Sequence, residues 1–270
     1  MEASAQSSAV SRTAERVREL AAAYDPPDFA HVPSADAALF LCAVDHRSGY
    51  REPHEVEGRG PFEGSELLWE LACAEERRRP GTLSAAALTD ADAERVAALF
   101  RAGDETAAEP AERARLWRDL AGGLERDHGG SATALIDAAD GRLGGGGGVI
   151  ALLARYEAYG DPLAKKAFLF AKIAERRGWL AVRDPESWQV CADNVLMRLA
   201  LRSGLVAPGS VEEVRAATRD AFRLVAADTG VTPPVLDDLL WELGREDPDL
   251  IGAEAGDIRE PPREPGVSYF

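Results

Sequence analysis

The segment CADNVLMRLALRSGL, residues 191–205, has the clearest helical signature in the chain. Asp193 stands where an N-cap is expected, because a short side-chain oxygen there accepts hydrogen bonds from the unpaired backbone amides of the first turn. Gly204 stands just past the other end, where a left-handed residue commonly ends a helix. Apolar residues recur at helical spacing between them, at Val195, Leu196 and Leu199. The segment therefore predicts a capped helix with one buried face.

The same pattern recurs along most of the chain, where alanine, leucine, arginine and glutamate dominate and β-branched residues are sparse. It predicts an all-α protein, and we expect no strand. Helices are expected at 11–24, 34–44, 65–76, 149–158, 163–178 and 194–203, with three short ones between 80 and 143 and two further ones before 244. Residues 45–64 show no period and predict a long polar loop, a common place for a functional site.

Charge and cysteine content restrict the class of protein. The chain has 270 residues and a mass of 28.9 kDa, and its 31 basic and 47 acidic residues give a net charge of −16. That charge argues against indiscriminate binding to nucleic acid or anionic membranes. Cys42, Cys73 and Cys191 are far apart, which argues against a zinc ribbon, an iron–sulfur cluster or a disulfide framework. We expect no metal and no cofactor, and the lack of a signal-like or membrane-spanning apolar stretch predicts a cytoplasmic location.

Composition divides the chain into four parts. We expect an N-terminal helical region at 1–143, a glycine hinge at 144–148, a second helical region at 149–244 and an acidic, proline-rich tail at 245–270. Five successive glycines are costly in entropy, so they indicate either a flexible connector or a close approach of backbones. Residues 162–224 contain eleven basic and seven acidic residues. This excess is either a confined phosphate-binding face or a chance fluctuation.

Residues 191–205 resemble the helix-hairpin-helix DNA glycosylases, in which the catalytic aspartate opens a helix in the pattern D-x-x-x-x-R-[VL]-x-x-R-x-G. Matches in register are Asp193, Arg198, Leu199, Arg202 and Gly204. In that family a hairpin precedes the aspartate, and the helix after the hairpin carries a nucleophilic lysine in bifunctional members. The matching element is YGDPLAKKAFLFAK, residues 159–172. The resemblance implies that Lys166 and Asp193 are catalytic and that Lys165 lies on the phosphate side.

A second resemblance points to one branch of that family. Residues 229–244, TGVTPPVLDDLLWELG, look like the C-terminal segment of the archaeal 8-oxoguanine DNA glycosylases, where the tryptophan lines the base pocket. That branch also has a phenylalanine four residues after the lysine. The resemblance covers 149–244 and implies pocket roles for Trp241 and Phe170, although aromatic residues at helical spacing are more often core residues. The first 143 residues would complete the pocket in a two-lobed, glycosylase-like fold.

Two departures from the family pattern matter. The usual Gly-x-Gly turn of the hairpin is replaced by Pro162 and Ala164, which puts backbone binding of a phosphate in doubt. The residue that reads oxidised guanine has only a loose counterpart within 44–47, where Asp45 and His46 are candidates for the base pocket. Preference for 8-oxoguanine is therefore not carried over.

The resemblance implies an enzyme that flips a modified base out of double-stranded DNA and cleaves its N-glycosidic bond, with or without AP-lyase activity. Its role would be base-excision repair or defence against viral DNA with modified bases, and it would act as a monomer associated with the nucleoid. Two alternatives stay open: an N-glycosidase of a free modified nucleotide, of the queuosine-salvage type, and a non-catalytic helical DNA-binding module. Expected phosphate contacts are Lys165, Lys172, Arg47, Arg198 and Arg202.

Overall fold

The computed structural model describes residues 2–255, with side chains described from residue 8 onward. These residues form twelve α-helices, two short 3-10 helices and one two-stranded antiparallel sheet. The helices are α1 (Glu2–Ala21), α2 (Ala35–Ala43), α3 (Gly64–Arg78), α4 (Ala85–Leu88), α5 (Ala93–Leu99), α6 (Pro110–His128), α7 (Ala132–Ala138), α8 (Val149–Leu153), α9 (Lys165–Arg176), α10 (Asn194–Arg202), α11 (Val211–Thr229) and α12 (Pro233–Glu246). The mostly helical character predicted from the sequence is confirmed.

The expectation of no strand is wrong, because the predicted loop at 45–64 contains a hairpin. Strands β1 (His54–Val56) and β2 (Arg59–Phe62) pair antiparallel, and Val56 pairs with Arg59 across the turn. Both turn residues are left-handed, with φ of 51° at Glu57 and 71° at Gly58. This is the conformation that two-residue hairpin turns require. The signal was weak, because Asn or Asp is more usual than Glu before the glycine.

Several helices begin or end at recognisable cap residues. The Ser34 hydroxyl accepts a hydrogen bond from the Ala37 amide at 3.1 Å and begins α2. Ser210 and Glu213 form a complete capping box at the start of α11. Gly129 and Gly230 end α6 and α11 with φ of 60° and 73°, as expected for left-handed C-terminal residues.

Other boundaries differ from the predicted ones. Residues 80–143 hold four helices rather than three, and α6 alone has 19 residues. The helix expected at 149–158 ends at Leu153 and is followed by the 3-10 helix Glu157–Tyr159. Helix α12 extends to Glu246, so the expected tail at 245–270 begins inside a helix. Residues 256–270 of that tail lie outside the described residues.

The described chain forms two compact units. The central unit comprises residues 28–185, and the terminal unit comprises residues 2–27 and 186–255. The glycine run at 144–148 lies inside the central unit. Among residues 2–255, no helix has both the length and the apolar content needed to cross a membrane.

Each unit has its own apolar core. In the terminal unit, α1, α10, α11 and α12 enclose residues such as Phe222, Leu199 and Leu239. In the central unit, α2 is the inner helix, since all its residues except Asp36 are buried. The Trp117 indole donates to the Phe40 carbonyl at 2.7 Å, and the Tyr159 hydroxyl donates to the Leu39 carbonyl at 2.6 Å. These bonds satisfy two large aromatic side chains inside the core.

The glycine run contains a close approach of backbones. The amides of Leu143 and Gly144 donate to the Asp184 carboxylate at 2.8 and 2.9 Å. A Cβ atom on Gly148 would lie 2.3 Å from the Gly144 carbonyl oxygen and 2.4 Å from that of Leu143. At Gly148 the glycine run therefore serves a close approach of backbones. The role of residues 144–148 as a hinge stays a prediction.

We expect Gly148→Ala to destabilise the protein by about 1–3 kcal/mol, because the backbone must move to accept the new methyl group. Gly146→Ala is the matched control, since a Cβ atom there has no neighbour within 4 Å, and it should be neutral or stabilising by up to about 1 kcal/mol. Urea unfolding of both variants measures the difference. Equal stabilities would contradict the close approach at Gly148.

Candidate functional site

The lysine helix α9 begins at a turn whose last residue has the left-handed conformation that glycine usually adopts. Ala164 is left-handed at φ 52° and stands directly before the first helical residue. The Asp161 carboxylate accepts hydrogen bonds from the amides of Leu163 and Lys165, both at 3.0 Å. The Asp161 side chain thus caps the start of α9, although it stands three residues before the N-cap residue, Ala164. The turn places the two lysines at the very start of α9.

Lys166 is completely buried, with 0% of its surface exposed. Its amine donates to the carbonyl of Ala43 at 2.7 Å and lies 3.2 Å from Nδ1 of His46. Both partners belong to the end of α2 and the residues just after it. Within the part of the chain that the structure describes, no carboxylate forms an ion pair with this amine. A lysine without a carboxylate partner is rare at such depth.

This environment lowers the pKa of Lys166 to about 7. The main cause is burial, which disfavours the charged ammonium, and the neighbouring positive charge of Lys165 adds to it. Arg113 lowers the pKa further, whereas Asp45 and Cys42 oppose the shift. A large share of the amine is therefore neutral near pH 7, which suits a nucleophile.

His46 is buried beside that amine, and its side chain has 0% exposure. Burial lowers the pKa of His46 far below its ordinary value, and the cations of Lys166, Arg113 and Arg47 lower it further. The imidazole is therefore neutral at physiological pH. Its Nε2 atom lies 3.9 Å from the nearer carboxylate oxygen of Glu112 and has no hydrogen-bond partner among the described residues.

Three buried basic side chains, those of Arg113, Lys165 and Lys166, surround the C-terminal end of α2. The Arg113 guanidinium donates to the carbonyls of Val44, His46 and Arg47 and, at 2.7 Å, to that of Ala108. Lys165 lies 3.4 Å from the Asp45 carboxylate and donates to its backbone carbonyl at 3.3 Å. Cations at a helix C-terminus are favoured, because the last carbonyls there lack partners and carry partial negative charge. These bonds link residues 43–47 to α6 and α9.

His46, Glu109 and Glu112 could together offer ligand atoms to a metal, since these atoms lie within 4.8 Å of one another. However, a guanidinium nitrogen of Arg47 lies 3.1 Å from Glu109 and 3.7 Å from Glu112. A cation thus already balances the two carboxylates. Burial and the neighbouring Glu109 raise the pKa of Glu112. We therefore assign no metal to these residues.

Asp193 is the N-cap of α10 in the terminal unit, as predicted. One carboxylate oxygen accepts hydrogen bonds from the amides of Val195 and Leu196 at 2.9 and 3.0 Å. The residue is 9% exposed. Just before it, the Cys191 amide donates to the Asp237 carboxylate at 2.6 Å, which fixes the chain entering the helix. The carboxylate is thus held rigidly at the positive end of a helix dipole.

The remaining predicted residues are engaged inside the units. Arg198 donates to the carbonyl of Gly244 at 2.7 Å at the end of α12, and Arg202 pairs with both carboxylate oxygens of Asp249 at 2.6 and 2.7 Å. Lys172 is 4% exposed. Phe170 is fully buried in the core, whereas Trp241 is partly buried against the core of the terminal unit.

The structure therefore brings together five of the predicted residues in the central unit: Asp45, His46, Arg47, Lys165 and Lys166. Asp193, Arg198, Arg202 and Trp241 belong to the terminal unit. Four exposed arginines of the central unit, Arg78, Arg79, Arg95 and Arg101, line a separate pocket of about 610 Å³. Arg78 and Arg79 both pair with Glu75.

Lysine is rare in this protein and confined to one helix. Only three of the 31 basic residues are lysines, at positions 165, 166 and 172. All three lie in α9, and each is at most 8% exposed. All other basic residues are arginines. Lysine therefore occurs in this protein only at buried positions. Arginine cannot replace an amine in nucleophilic chemistry, because it stays protonated.

Sequence reasoning missed Arg113, which does most to fix the loop of the site. A signal was present, since Arg113 precedes the buried residues Leu116, Leu120 and Leu124 at helical spacing. A basic residue in line with an apolar stripe indicates an inward-pointing side chain. The Ala43 carbonyl had no signal at all, because a backbone acceptor is not visible in a sequence.

Comparison with known proteins gives no family for this chain. No protein-family model matches it, and no curated protein matches it significantly. A function for this protein is therefore inferred from the chemistry of Lys166 and Asp193.

Proposed function

We propose that this protein is an N-glycosidase of the helix-hairpin-helix DNA glycosylase type, which excises a modified base from double-stranded DNA. Lys166 is the nucleophile, and Asp193 is the carboxylate that stabilises positive charge on the sugar. The role would be base-excision repair or defence against viral DNA that carries modified bases. The resemblance of residues 149–244 to that family and the properties of Lys166 support the proposal.

The single observation that carries the proposal is the enclosed amine of Lys166, whose pKa is lowered to about 7. A buried lysine costs several kcal/mol in desolvation unless it is paired, so it is rarely kept for stability alone. Its neutral form can attack the sugar C1′ as the bond to the base breaks. The base leaves with the bonding electrons and takes up a proton that the attacking amine loses, which gives an aminal at C1′. The C1′–O4′ bond of the sugar ring then breaks, O4′ takes up a proton, and a Schiff base between Lys166 and the opened sugar results.

Asp193 has a separate role in this chemistry. Departure of the base leaves an electron-poor sugar with oxocarbenium character, and a nearby carboxylate lowers the energy of that state. The carboxylate must be held in place, because an already oriented charge stabilises the transition state without the reorientation that water would need. The bonds from Val195 and Leu196 to Asp193 provide that rigidity. β-Elimination from the Schiff base would then nick the strand.

A second candidate, hydrolysis of a free modified nucleotide, is favoured by the state of the predicted phosphate contacts. Arg198 and Arg202 are bonded within the terminal unit, and Arg47 pairs with Glu109. Cations engaged in this way are poor anchors for a DNA backbone. A net charge of −16 also suits a small substrate better than a polyanion.

Borohydride trapping tests the proposal. We expect wild-type protein to form a covalent adduct with one or more duplexes from a panel of modified bases, because borohydride reduces the Schiff base to a stable amine. Lys166→Gln should form none, whereas Arg118→Met, a substitution at an exposed residue of α6, should still form the adduct. Peptide mapping then assigns the linkage among only three lysines.

The same panel separates the two candidates. Base release from modified nucleoside 5′-monophosphates, with no release or adduct on any duplex, would replace the first candidate by the second. Release from neither substrate class would reject both.

A further inference from the structure

The amine of Lys166 has fewer partners than an ammonium group needs. An ammonium has three hydrogens to donate, and a neutral amine has two hydrogens and a lone pair. Among the described residues, Nζ has two hydrogen-bond partners, the Ala43 carbonyl oxygen and Nδ1 of His46. With the His46 proton on Nε2, both partners accept, and two acceptors match the two hydrogens of a neutral amine.

The Ala43 carbonyl and the His46 imidazole are both uncharged, which is the second unusual feature of the Lys166 site. The common partner of a buried lysine is a carboxylate, which would stabilise the ammonium and block attack. The Asp45 carboxylate instead pairs with Lys165, at 3.4 Å. The groups that act electrostatically on the Lys166 amine are Lys165 of α9, Arg113 of α6, Cys42 of α2 and Asp45 of the following loop.

We propose that His46 is a positioning residue for Lys166: with the Ala43 carbonyl it offers two neutral acceptors, which match an uncharged amine and leave its lone pair for the substrate. This inference rests on the proposed function, in which that amine is the nucleophile. In this proposal Nδ1 of His46 accepts, which places the imidazole proton on Nε2, the nitrogen that lies 3.9 Å from Glu112. Glu112 then favours this tautomer by charge, as carboxylates beside histidines commonly do.

A matched pair of variants tests the charge of the acceptor separately from its shape. Asparagine and aspartate have nearly the same size, but His46→Asn offers a neutral acceptor and His46→Asp offers a carboxylate. The pKa of Lys166 should stay near that of wild type, about 7, in the Asn variant. It should rise by about 1–3 units in the Asp variant, because an adjacent opposite charge favours the ammonium.

The titration can be followed directly and without substrate. Protein labelled with ¹⁵N-lysine gives side-chain signals from only three residues, and loss of one signal in Lys166→Met identifies Lys166. Wild-type Nζ should titrate near pH 7. A midpoint near the ordinary lysine value of about 10.4, or equal midpoints in the Asn and Asp variants, would overturn the inference.

Trapping provides the second readout. The neutral fraction of an amine rises with pH through its pKa, so a higher pKa moves the rate profile to higher pH. At pH 7, His46→Asp should trap DNA about 5-fold to 500-fold more slowly than His46→Asn, and its rate should recover as the pH is raised. Equal rates and profiles for the two variants would also overturn the inference. The NMR titration still decides the inference if no duplex is a substrate, so failure of the proposed function is recognised separately.

A measurement on unsubstituted protein covers the case in which neither variant folds. The imidazole nitrogens of His46, observed by ¹⁵N NMR, should show a neutral ring with the proton on Nε2 between pH 5 and pH 8. A ring that protonates near its ordinary pKa of about 6.5, or one with the proton on Nδ1, would refute the proposed acceptor role.

Discussion

Replacement of Arg113 by methionine is expected to lower the free energy of unfolding by about 3–5 kcal/mol, because a buried charged donor is lost from several buried acceptors at once. Arg113 is fully buried. It donates to the carbonyls of Val44, His46, Arg47 and Ala108. Methionine occupies a similar volume and supplies no donor. Burial also lowers the pKa of Arg113, to about 10.

Arg118→Met is the matched control for this prediction. Arg118 lies on the same helix, is exposed and donates to the carbonyl of Ala91. Its replacement should cost no more than about 1.5 kcal/mol, the usual net contribution of one hydrogen bond. Urea unfolding measures both variants. A cost for Arg113→Met as small as that of the control would show that the carbonyls around α2 do not depend on this guanidinium.

The same substitution has an electrostatic consequence at the site. The positive charge of Arg113 is one of the causes that lower the pKa of Lys166 and of His46. Removing it should raise both pKa values, which shifts the neutral fraction of the amine to higher pH. Arg113 thus connects the stability of the loop at 43–47 with the reactivity of the lysine.

The elements that sequence reasoning predicted are those whose signals are local. Ser34 and Asp193 begin α2 and α10 where predicted, because an N-cap acts on amides two or three residues away. The hairpin at His54–Phe62 was missed, since its turn uses Glu57 where the common turns use Asn or Asp. Local patterns therefore gave most of the helices and failed at an unusual turn.

The site depends on contacts that no local pattern encodes. Lys166 and His46 are 120 residues apart in sequence, and only the packing of α2 against α9 brings them together. Charge alone also says nothing about how the predicted phosphate contacts are bonded, because the sequence shows that Arg198 and Arg202 are basic but not that they are bonded to Gly244 and Asp249. Phe170 has the spacing of a pocket residue, and the structure buries it completely.

Replacement of Asp193 by asparagine is expected to slow base excision by about 10²–10⁴-fold while leaving the fold intact. Asparagine and aspartate are about equally good N-caps, so the bonds from Val195 and Leu196 can be kept. The substitution removes the negative charge, and with it the stabilisation of an oxocarbenium-like sugar. Single-turnover rates on the duplex that gives the trapped adduct measure the loss.

Asp92→Asn provides the control at another helix start. The Asp92 carboxylate accepts a hydrogen bond from the Arg95 amide at 2.8 Å as the N-cap of α5, and it belongs to none of the proposed catalytic groups. Both substitutions should change the free energy of unfolding by less than about 1 kcal/mol, because both retain a capping oxygen. Only Asp193→Asn should slow excision. If Asp193→Asn excises as fast as Asp92→Asn, Asp193 is a helix cap without a catalytic role, and the charge that stabilises the sugar must come from another carboxylate.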